Sequence, residues 1–418
     1  MSLSYPEARV RTMPLRPMIR AASGLAGVAL LAAAPHALAQ QWVLEPRVEV
    51  GGIYDDNYRM TNTPGQEIEV TGAGVEALLR ARRATAKSSF EITPEIHSTF
   101  FPDESSEEST DYFLAMSGDT RTLRTRSSVN FNFADETVVT SELPVANAPG
   151  VGLGQPSSGD AGRVSARNRL RLFQLQPSFT YDWTERRHLV LGAHYVNADY
   201  QADLFEQVGY SDIGASAAMD FDLSQRSTLS LGVQAAQYNP NDTSPDTDLT
   251  GAIAEWRMHP SQVMEVYFRG AATHVDRDAT ASNSKLSATG FNGGAGVAWN
   301  YQVTQILVDL LRTTSPSSVG AVLYRNEVRF RVNHSFDPRF TGYLALRGIR
   351  TEDIKGSATS GGDRKYATAS TGFEWRFRRE FSFTGSYDYK WQKFASEPDN
   401  AISNGFRLSL VYEPRRIR

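Results

Sequence analysis

The stretch Phe381-Ser-Phe-Thr-Gly-Ser-Tyr-Asp-Tyr-Lys-Trp391 alternates between two kinds of residue over its whole length. Its aromatic residues all occupy odd-numbered positions, whereas serine, threonine, aspartate and lysine occupy the even-numbered ones. Because successive side chains of a β-strand point to opposite faces, this pattern predicts a strand with one apolar face and one polar face.

The same alternation continues in the segments on either side, 369–377 and 406–412. Short turns join pairs of alternating runs at eight places: 81–87, 122–127, 183–188, 223–228, 258–263, 300–305, 335–340 and 376–381. Longer loops rich in Gly, Asn, Asp, Ser and Pro separate these pairs, for example at 239–248, 351–365 and 396–403. Tight turns at one end and long loops at the other are typical of an outer-membrane β-barrel.

The spacing of the turns gives a strand count. A first strand near 42–55, a second near 66–82 and a last near 403–413 lead to about 18 strands, with 16 as the alternative. The predicted fold is all-β: a transmembrane, antiparallel, up-and-down barrel. Four tryptophans just before short turns predict an aromatic girdle at the periplasmic end: Trp183, Trp256, Trp299 and Trp375. A β-propeller fits less well, because each blade needs four short strands per repeat.

The first 39 residues have the features of a cleaved signal peptide. A basic region carrying Arg9, Arg11, Arg16 and Arg20 precedes an apolar run over 21–34, and Ala37-Leu-Ala39 matches a signal-peptidase site. We therefore expect residues 40–418 to form the barrel in the outer membrane of a bacterium. The chain has no cysteine and a formal net charge of −4, so a disulfide framework is excluded and no nucleic-acid footprint is present.

Charge is distributed unevenly along the chain. Residues 40–162 carry about 19 acidic and 9 basic side chains, whereas 319–418 carry about 11 and 18. With apolar faces toward lipid, ten charged residues are predicted to line the pore: Glu49, Glu91, Glu95, Arg325, Arg329, Arg331, Arg347, Arg376, Lys390 and Arg407. They would create a transverse field for polar solutes, or would only form luminal salt bridges that stiffen the wall.

The longest loop, 135–162, is predicted between the fifth and sixth strands. It would either fold into the lumen, where Asp135, Glu136 and Glu142 would form a constriction, or remain a disordered external loop. No convergent nucleophile, base and orienting group stands out, and the serines lack a nucleophile signature. The sequence therefore predicts no catalytic residue, metal site or cofactor, and no enzyme.

Two short motifs carry a resemblance to known proteins. Ser403-x-Gly405-x-x-Leu408-x-Leu410-x-Tyr412 looks like the β-signal read by the barrel-assembly machinery, although six residues follow its last aromatic. "YDDN" at 54–57, followed by Tyr58, is similar to the start of members of the β-barrel porin 2 family. In this segment Asp and Asn are turn formers, and Tyr54 and Tyr58 suit an interfacial belt.

The resemblance to the β-barrel porin 2 family implies an outer-membrane exit for a polymer. The leading expectation is a porin serving polysaccharide export, with lipopolysaccharide, the barrel-assembly machinery and a periplasmic export protein as partners. The alternatives are a general diffusion porin for small polar solutes, an adhesin or structural barrel, and an outer-membrane enzyme.

Overall fold

The computed structural model describes residues 42–63, 65–143, 167–201, 207–241, 245–277, 286–354 and 363–414, together with Leu153 and Val164. The predicted signal peptide and most of the 144–163 segment lie outside the described residues. Within the described residues, no helix is long and apolar enough to cross a membrane.

Eighteen strands make up the fold of the described residues. They are β1 Val43–Asp55, β2 Val70–Ala84, β3 Ser88–Phe100, β4 Ser109–Arg121, β5 Thr125–Thr137, β6 Arg169–Thr184, β7 Arg187–Tyr200, β8 Tyr210–Ser224, β9 Ser227–Pro240, β10 Thr247–Ser261, β11 Met264–Arg277, β12 Leu286–Tyr301, β13 Thr304–Ser317, β14 Ala321–Asp337, β15 Phe340–Asp353, β16 Arg364–Trp375, β17 Phe381–Phe394 and β18 Ala401–Tyr412. A single-turn helix, α1 (Val138–Glu142), follows β5, and a 3-10 turn (Ser105–Glu107) lies between β3 and β4.

The sheet closes on itself. Each strand pairs antiparallel with the next, and β1 pairs with β18 from Val48 opposite Tyr412 to Asp55 opposite Gly405. Closure pairs the first strand with the last, and lipid favours it because lipid offers unpaired backbone groups no hydrogen-bond partner. All eight predicted short turns join consecutive strands at one end. The prediction of an antiparallel barrel with about 18 strands is confirmed.

The two faces of the wall differ as the alternation predicts. Along β18, Leu408, Leu410 and Tyr412 are exposed on the outside, whereas Ser403 and Ser409 are buried on the inside. Large apolar side chains are exposed around the outer surface of the other strands too, for example Val328 on β14 and Leu346 on β15. An apolar outer band on a closed barrel places the chain in a bacterial outer membrane, where lipid covers that band.

Aromatic residues mark the end of the barrel that carries the short turns. The four predicted tryptophans are all exposed there, between 41% and 64%. Trp42, just before β1, is also exposed and packs edge-on against Phe90. Indole rings favour the boundary between lipid and water, so this end of the wall lies at the periplasmic interface.

Candidate functional site

The segment after β5 enters the barrel. Thr137 ends β5 and caps α1, because its hydroxyl accepts a hydrogen bond from the amide of Thr140 (3.4 Å). Val138 of α1, with Leu143 and Val164, belongs to a buried apolar cluster that the opposite wall completes with Ile349, Tyr366 and Ala401 of β15, β16 and β18. Because the strand neighbours of these last three residues face lipid, the cluster lies in the lumen.

Three contacts connect this segment to distant parts of the wall. Tyr200 of β7 donates a hydrogen bond to Oε1 of Glu142 (3.3 Å), and Nη2 of Arg364 on β16 donates to the backbone carbonyl of Glu142 (3.4 Å). Leu153 lies against β12 so closely that a Cβ on Gly296 would come within 2.7 Å of its Cδ1. Residues 138–143 and Leu153 therefore reach across the lumen from β5 to the β12–β16 wall and narrow the passage.

A second element, the tip of the β13–β14 hairpin, also leaves the wall. β12 pairs with β13 only as far as Gly293 opposite Arg312, whereas β13 and β14 stay paired up to Ser317 opposite Ala321. Ser318 accepts a hydrogen bond from the amide of Val208 (2.6 Å), and Ser317 accepts one from the hydroxyl of Tyr238 on β9 (2.8 Å). The hairpin tip therefore bends across the mouth to the β7–β9 side, which the sequence did not predict.

The loop after β1 folds over the same mouth. Arg59 forms a buried ion pair with Glu107 (2.9 Å) and donates to the backbone carbonyl of Val164 (3.4 Å). Tyr58 packs edge-on against the buried Phe101, with ring centroids 5.5 Å apart. Burial, together with the carboxylates of Asp111 and Glu107, raises the pKa of Tyr58. The prediction that Tyr58 belongs to the interfacial belt is wrong, because the chain turns inward after Asp55.

A polar cavity of about 420 Å³ lies between these loops and α1. Tyr58, Arg59 and Glu107 form one side of it, and Thr137 and Asn168 form another. Groups that donate and accept hydrogen bonds line this cavity beside apolar ones, so polar molecules can bind in it.

Asp55 connects the first strand to the last two. Its carboxylate accepts hydrogen bonds from Nζ of Lys390 on β17 (2.8 Å), from the hydroxyl of Ser403 on β18 (2.8 Å) and from the amide of Asn57 (3.0 Å). Gly405 lies beside this carboxylate: a Cβ there would be in ordinary contact with Oδ2 of Asp55, at 3.4 Å. Asp55, the first residue of the predicted acidic turn, thus contacts both Lys390, a predicted pore-lining residue, and Ser403, a residue of the predicted assembly signal.

The neighbouring Asp56 and Asn57 extend the β1–β18 contact with their side chains. Asp56 accepts from both the amide and the side-chain nitrogen of Asn404 (2.7 Å each), and Nδ2 of Asn57 donates to the carbonyl of Ile402 (3.0 Å). The acidic turn therefore seals the seam of the barrel at its outer end.

The lumen wall of β13–β15 carries a dense cluster of charge. Glu327 lies within ion-pair distance of Arg347 (3.2 Å), Arg325 (3.4 Å) and Arg329 (3.9 Å). Arg329 also pairs with Asp309, which accepts a hydrogen bond from the buried hydroxyl of Tyr267. All of these side chains lie on the inner face of the wall and are largely buried.

The wall of β1–β3 carries charges of both signs as well. Arg47 bridges Glu49 (2.6 Å) and Glu76 (3.0 Å). Glu91 pairs with Arg80 (3.4 Å), and Glu95 contacts His97 (2.5 Å).

Within the described residues, Glu76, Glu95 and His97 offer ligand atoms that all lie within 4.8 Å of one another. In this group Arg47 pairs with Glu76, and His97 contacts Glu95.

One predicted pore residue, Arg376, and two predicted loop residues, Asp135 and Glu136, occupy positions other than those predicted. Arg331 is on the inner face of β14 and Arg407 on that of β18, whereas Arg376 comes after the end of β16, is exposed and pairs with Glu374 (3.0 Å). Asp135 and Glu136 belong to β5, because the strand extends to Thr137.

In β5, Asp135 accepts from Arg169 (2.9 Å), and Glu136 is buried. Only Glu142 of the predicted constriction residues lies in the segment that leaves the wall. Of the predicted assembly signal, Leu408, Leu410 and Tyr412 face outward, and Ser403 and Gly405 face the lumen.

The closed wall, its apolar outer band and its charged lumen define the chain as a bacterial outer-membrane β-barrel of porin type. No family profile matches it, and no curated protein does.

Solved barrels resemble it in fold. Outer-membrane protein OpdK from Pseudomonas aeruginosa has a TM-score of 0.46 and 10% identity, over 90% of this chain and 98% of OpdK. OccAB3 from Acinetobacter baumannii has a TM-score of 0.46 and 8% identity, over 90% of this chain and 99% of OccAB3. The FrpB iron transporter from Neisseria meningitidis has a TM-score of 0.44 and 9% identity, over 90% of this chain and 83% of FrpB. Membership of the β-barrel porin 2 family stays a prediction.

Proposed function

We propose that this protein is an outer-membrane channel for small polar solutes. The observation that carries the proposal is the position of Glu142 and Leu153 inside the lumen, where Glu142 contacts Tyr200 and Arg364 and Leu153 lies against Gly296. A barrel of about 18 strands leaves a wide aqueous channel unless something fills it. The residues inserted after β5 occupy part of that channel and so favour small solutes over large ones.

Polymer export, the leading expectation from the resemblance, has no observation in its favour. A polysaccharide chain needs one continuous wide path, whereas both the β5–β6 segment and the β13–β14 tip cross the mouth. The lumen chemistry fits small polar solutes, because ion pairs such as that of Glu327 with Arg329 make the inner face of the wall charged. The predictions of a periplasmic export partner, of the barrel-assembly machinery as partner, and of no enzyme activity stay predictions.

A cysteine pair tests the position of the segment, since the native chain contains no cysteine. In a variant with Leu153→Cys and Gly296→Cys we expect a disulfide to form in the oxidising periplasm, read as loss of labelling by a thiol-reactive polymer. The matched control is Leu153→Cys with Ala295→Cys, because residue 295 faces the outside of the wall and its thiol should stay free. Equal labelling of the two variants would contradict insertion.

Conductance tests the function itself. Replacing residues 144–163 with a short Gly-Ser linker should raise the single-channel conductance and admit larger oligosaccharides in liposome-swelling assays. The Leu153–Gly296 disulfide variant, which keeps the segment in place, should conduct like the native protein before and after reduction. If the linker variant had native conductance and a native size limit, the segment would not define the passage and the proposal would fail.

A further inference from the structure

A row of basic side chains crosses the outer face of the barrel. Arg350 on β15 lies opposite Lys365 on β16, and Lys365 lies opposite Lys393 on β17. On the other side, Asn326 of β14 lies opposite both Arg350 and Arg312 of β13, so that the row is continuous over five strands. Their strand positions alternate with buried, lumen-facing ones, so all five side chains point outward.

The next outward row toward the periplasm is apolar. It runs through Leu310, Val328, Gly348, Ala367 and Trp391, each two residues from a member of the basic row along its own strand. A Cβ on Gly348 would meet nothing within 4 Å, which leaves a notch between its bulkier neighbours. This notch belongs to a mainly apolar groove of about 600 Å³ that ends at Arg312, Arg350 and Lys365.

The basic row carries more positive charge than the protein balances. Paired strands are about 4.8 Å apart, so like charges directly opposite one another repel. Glu352 is the acid that compensates them, through Arg350 (2.7 Å) and Arg312 (3.9 Å). Lys365 has no ion-pair partner within the part of the chain that the structure describes, and Lys393 donates only to the carbonyl of Pro398 (3.2 Å). An anion held between the row and the solvent would relieve this repulsion.

The position of the row identifies the anion. Lys365 is the second residue of β16, and Arg350 lies near the end of β15, so both are at the end of the barrel that carries the long loops. Lipid at that end is the outer leaflet, whose phosphorylated glycolipid, lipopolysaccharide, has phosphate groups directly above its acyl chains. The basic row lies at the level of these phosphate groups, and the apolar groove below it lies at the level of the acyl chains.

The geometry points to a binding site for lipopolysaccharide on the outer face of β13–β17. Its phosphate groups contact Arg312, Arg350 and Lys365, and one acyl chain lies in the groove at Gly348. The site is on the outside of the wall, so it is independent of the passage proposed for solutes.

Binding of purified lipid A to the intact protein in neutral detergent, measured by native mass spectrometry and titration, tests the site. Native protein should bind phosphorylated lipid A roughly 100-fold more tightly than dephosphorylated lipid A, because three cations near the membrane surface attract its phosphate groups. R312Q/R350Q/K365Q should lose roughly 100-fold in affinity for the phosphorylated lipid and little for the dephosphorylated one.

Two further variants separate the site from general charge and from folding. K87Q/R124Q/R186Q removes one lysine and two arginines that are exposed in periplasmic turns, and it should bind lipid A like the native protein. Gly348→Leu keeps every charge but fills the groove, and it should weaken binding of both lipids. All variants should show native heat-modifiable migration, because the altered side chains are at least partly exposed or face open space.

Equal affinity of native protein for the two lipids would overturn the proposal. So would a loss of affinity in the periplasmic triple variant as large as that in R312Q/R350Q/K365Q, since the effect would then be one of total charge. Native affinity in Gly348→Leu would remove the acyl-chain part of the site.

Discussion

Asp55 has more consequence for the barrel than its place in a polar turn suggests. Its carboxylate is buried and is the counter-ion of the equally buried Lys390. Removing one partner of a buried ion pair leaves the other charge uncompensated, which typically costs about 3–5 kcal/mol. We therefore expect Asp55→Asn to destabilise the barrel by about that amount, measured as a lower guanidinium midpoint for unfolding from lipid vesicles.

The double variant D55N/K390M should recover part of this loss, because it removes both charges together. Asp399→Asn, which alters an exposed aspartate in the β17–β18 loop, should leave the midpoint unchanged. A native midpoint in Asp55→Asn, or no recovery in the double variant, would show that the pair does not stabilise the seam.

Glu327 is the residue whose charge should matter most for ion selectivity. It faces three arginines on the lumen wall, so Glu327→Gln leaves their positive charge in excess. One unit charge acts on an ion about 10 Å away in water with roughly 0.4 kcal/mol, or about a twofold change in local concentration. The permeability ratio of chloride to potassium, obtained from the reversal potential in a potassium chloride gradient, should therefore rise by at least about this factor.

Glu352→Gln serves as the control for this measurement, because the same change of charge is made on the outer face of β15. Its reversal potential should be that of the native channel. A shift of equal size in both variants would mean that ions do not pass close to Glu327.

The chemistry of single residues was only partly predictable from the sequence. Alternation predicted that Glu49, Arg329 and Lys390 point to the inner face, because the face to which a strand residue points depends only on its place in the two-residue repeat. It did not predict that Asp55 is buried, since turn chemistry explains an Asp-Asp-Asn run equally well. The burial of Asp55 depends on Lys390 and Ser403, more than 330 residues away along the chain.

At the scale of elements, the strands and short turns were predictable, and insertion of the 135–162 loop into the lumen was one of two alternatives that the sequence offered. The inward bend of the β13–β14 tip was not predicted. A hairpin tip has the same alternation whether or not it keeps its neighbours in the sheet. What bends the β13–β14 tip inward is the loss of pairing with β12 beyond Arg312 and the contacts of Ser317 and Ser318 with other strands. These are tertiary interactions with no local signature.

The hydrogen bond from Tyr238 to Ser317 should hold the hairpin tip in the mouth. Tyr238→Phe removes this bond, which contributes about 0.5–1.5 kcal/mol net, and so increases local opening of the tip by up to roughly tenfold. Hydrogen exchange measured by mass spectrometry should be faster in peptides that cover 315–322. Tyr112→Phe, on an exposed ring of the outer wall, is the matched control and should exchange like the native protein. Native exchange rates in Tyr238→Phe would mean that contacts other than this hydrogen bond hold the hairpin tip in the mouth.

At the scale of the whole molecule, the tryptophans position the barrel in the bilayer. Trp42, Trp183, Trp256, Trp299 and Trp375 are exposed at the periplasmic end, and one more tryptophan lies on β17. This arrangement was predictable for the four that precede short turns, because turn spacing fixes where a strand ends.

We expect a variant that keeps only Trp299, with the other tryptophans replaced by phenylalanine, to report the headgroup region. Its fluorescence should be quenched more by lipids brominated near the headgroup than by lipids brominated near the chain end, because an indole ring prefers the interface. Adding Leu346→Trp to a background with no other tryptophan moves the probe to the middle of the outer wall, and should reverse the preference. The same preference in both variants would mean that the turn end of the barrel does not lie at the membrane boundary.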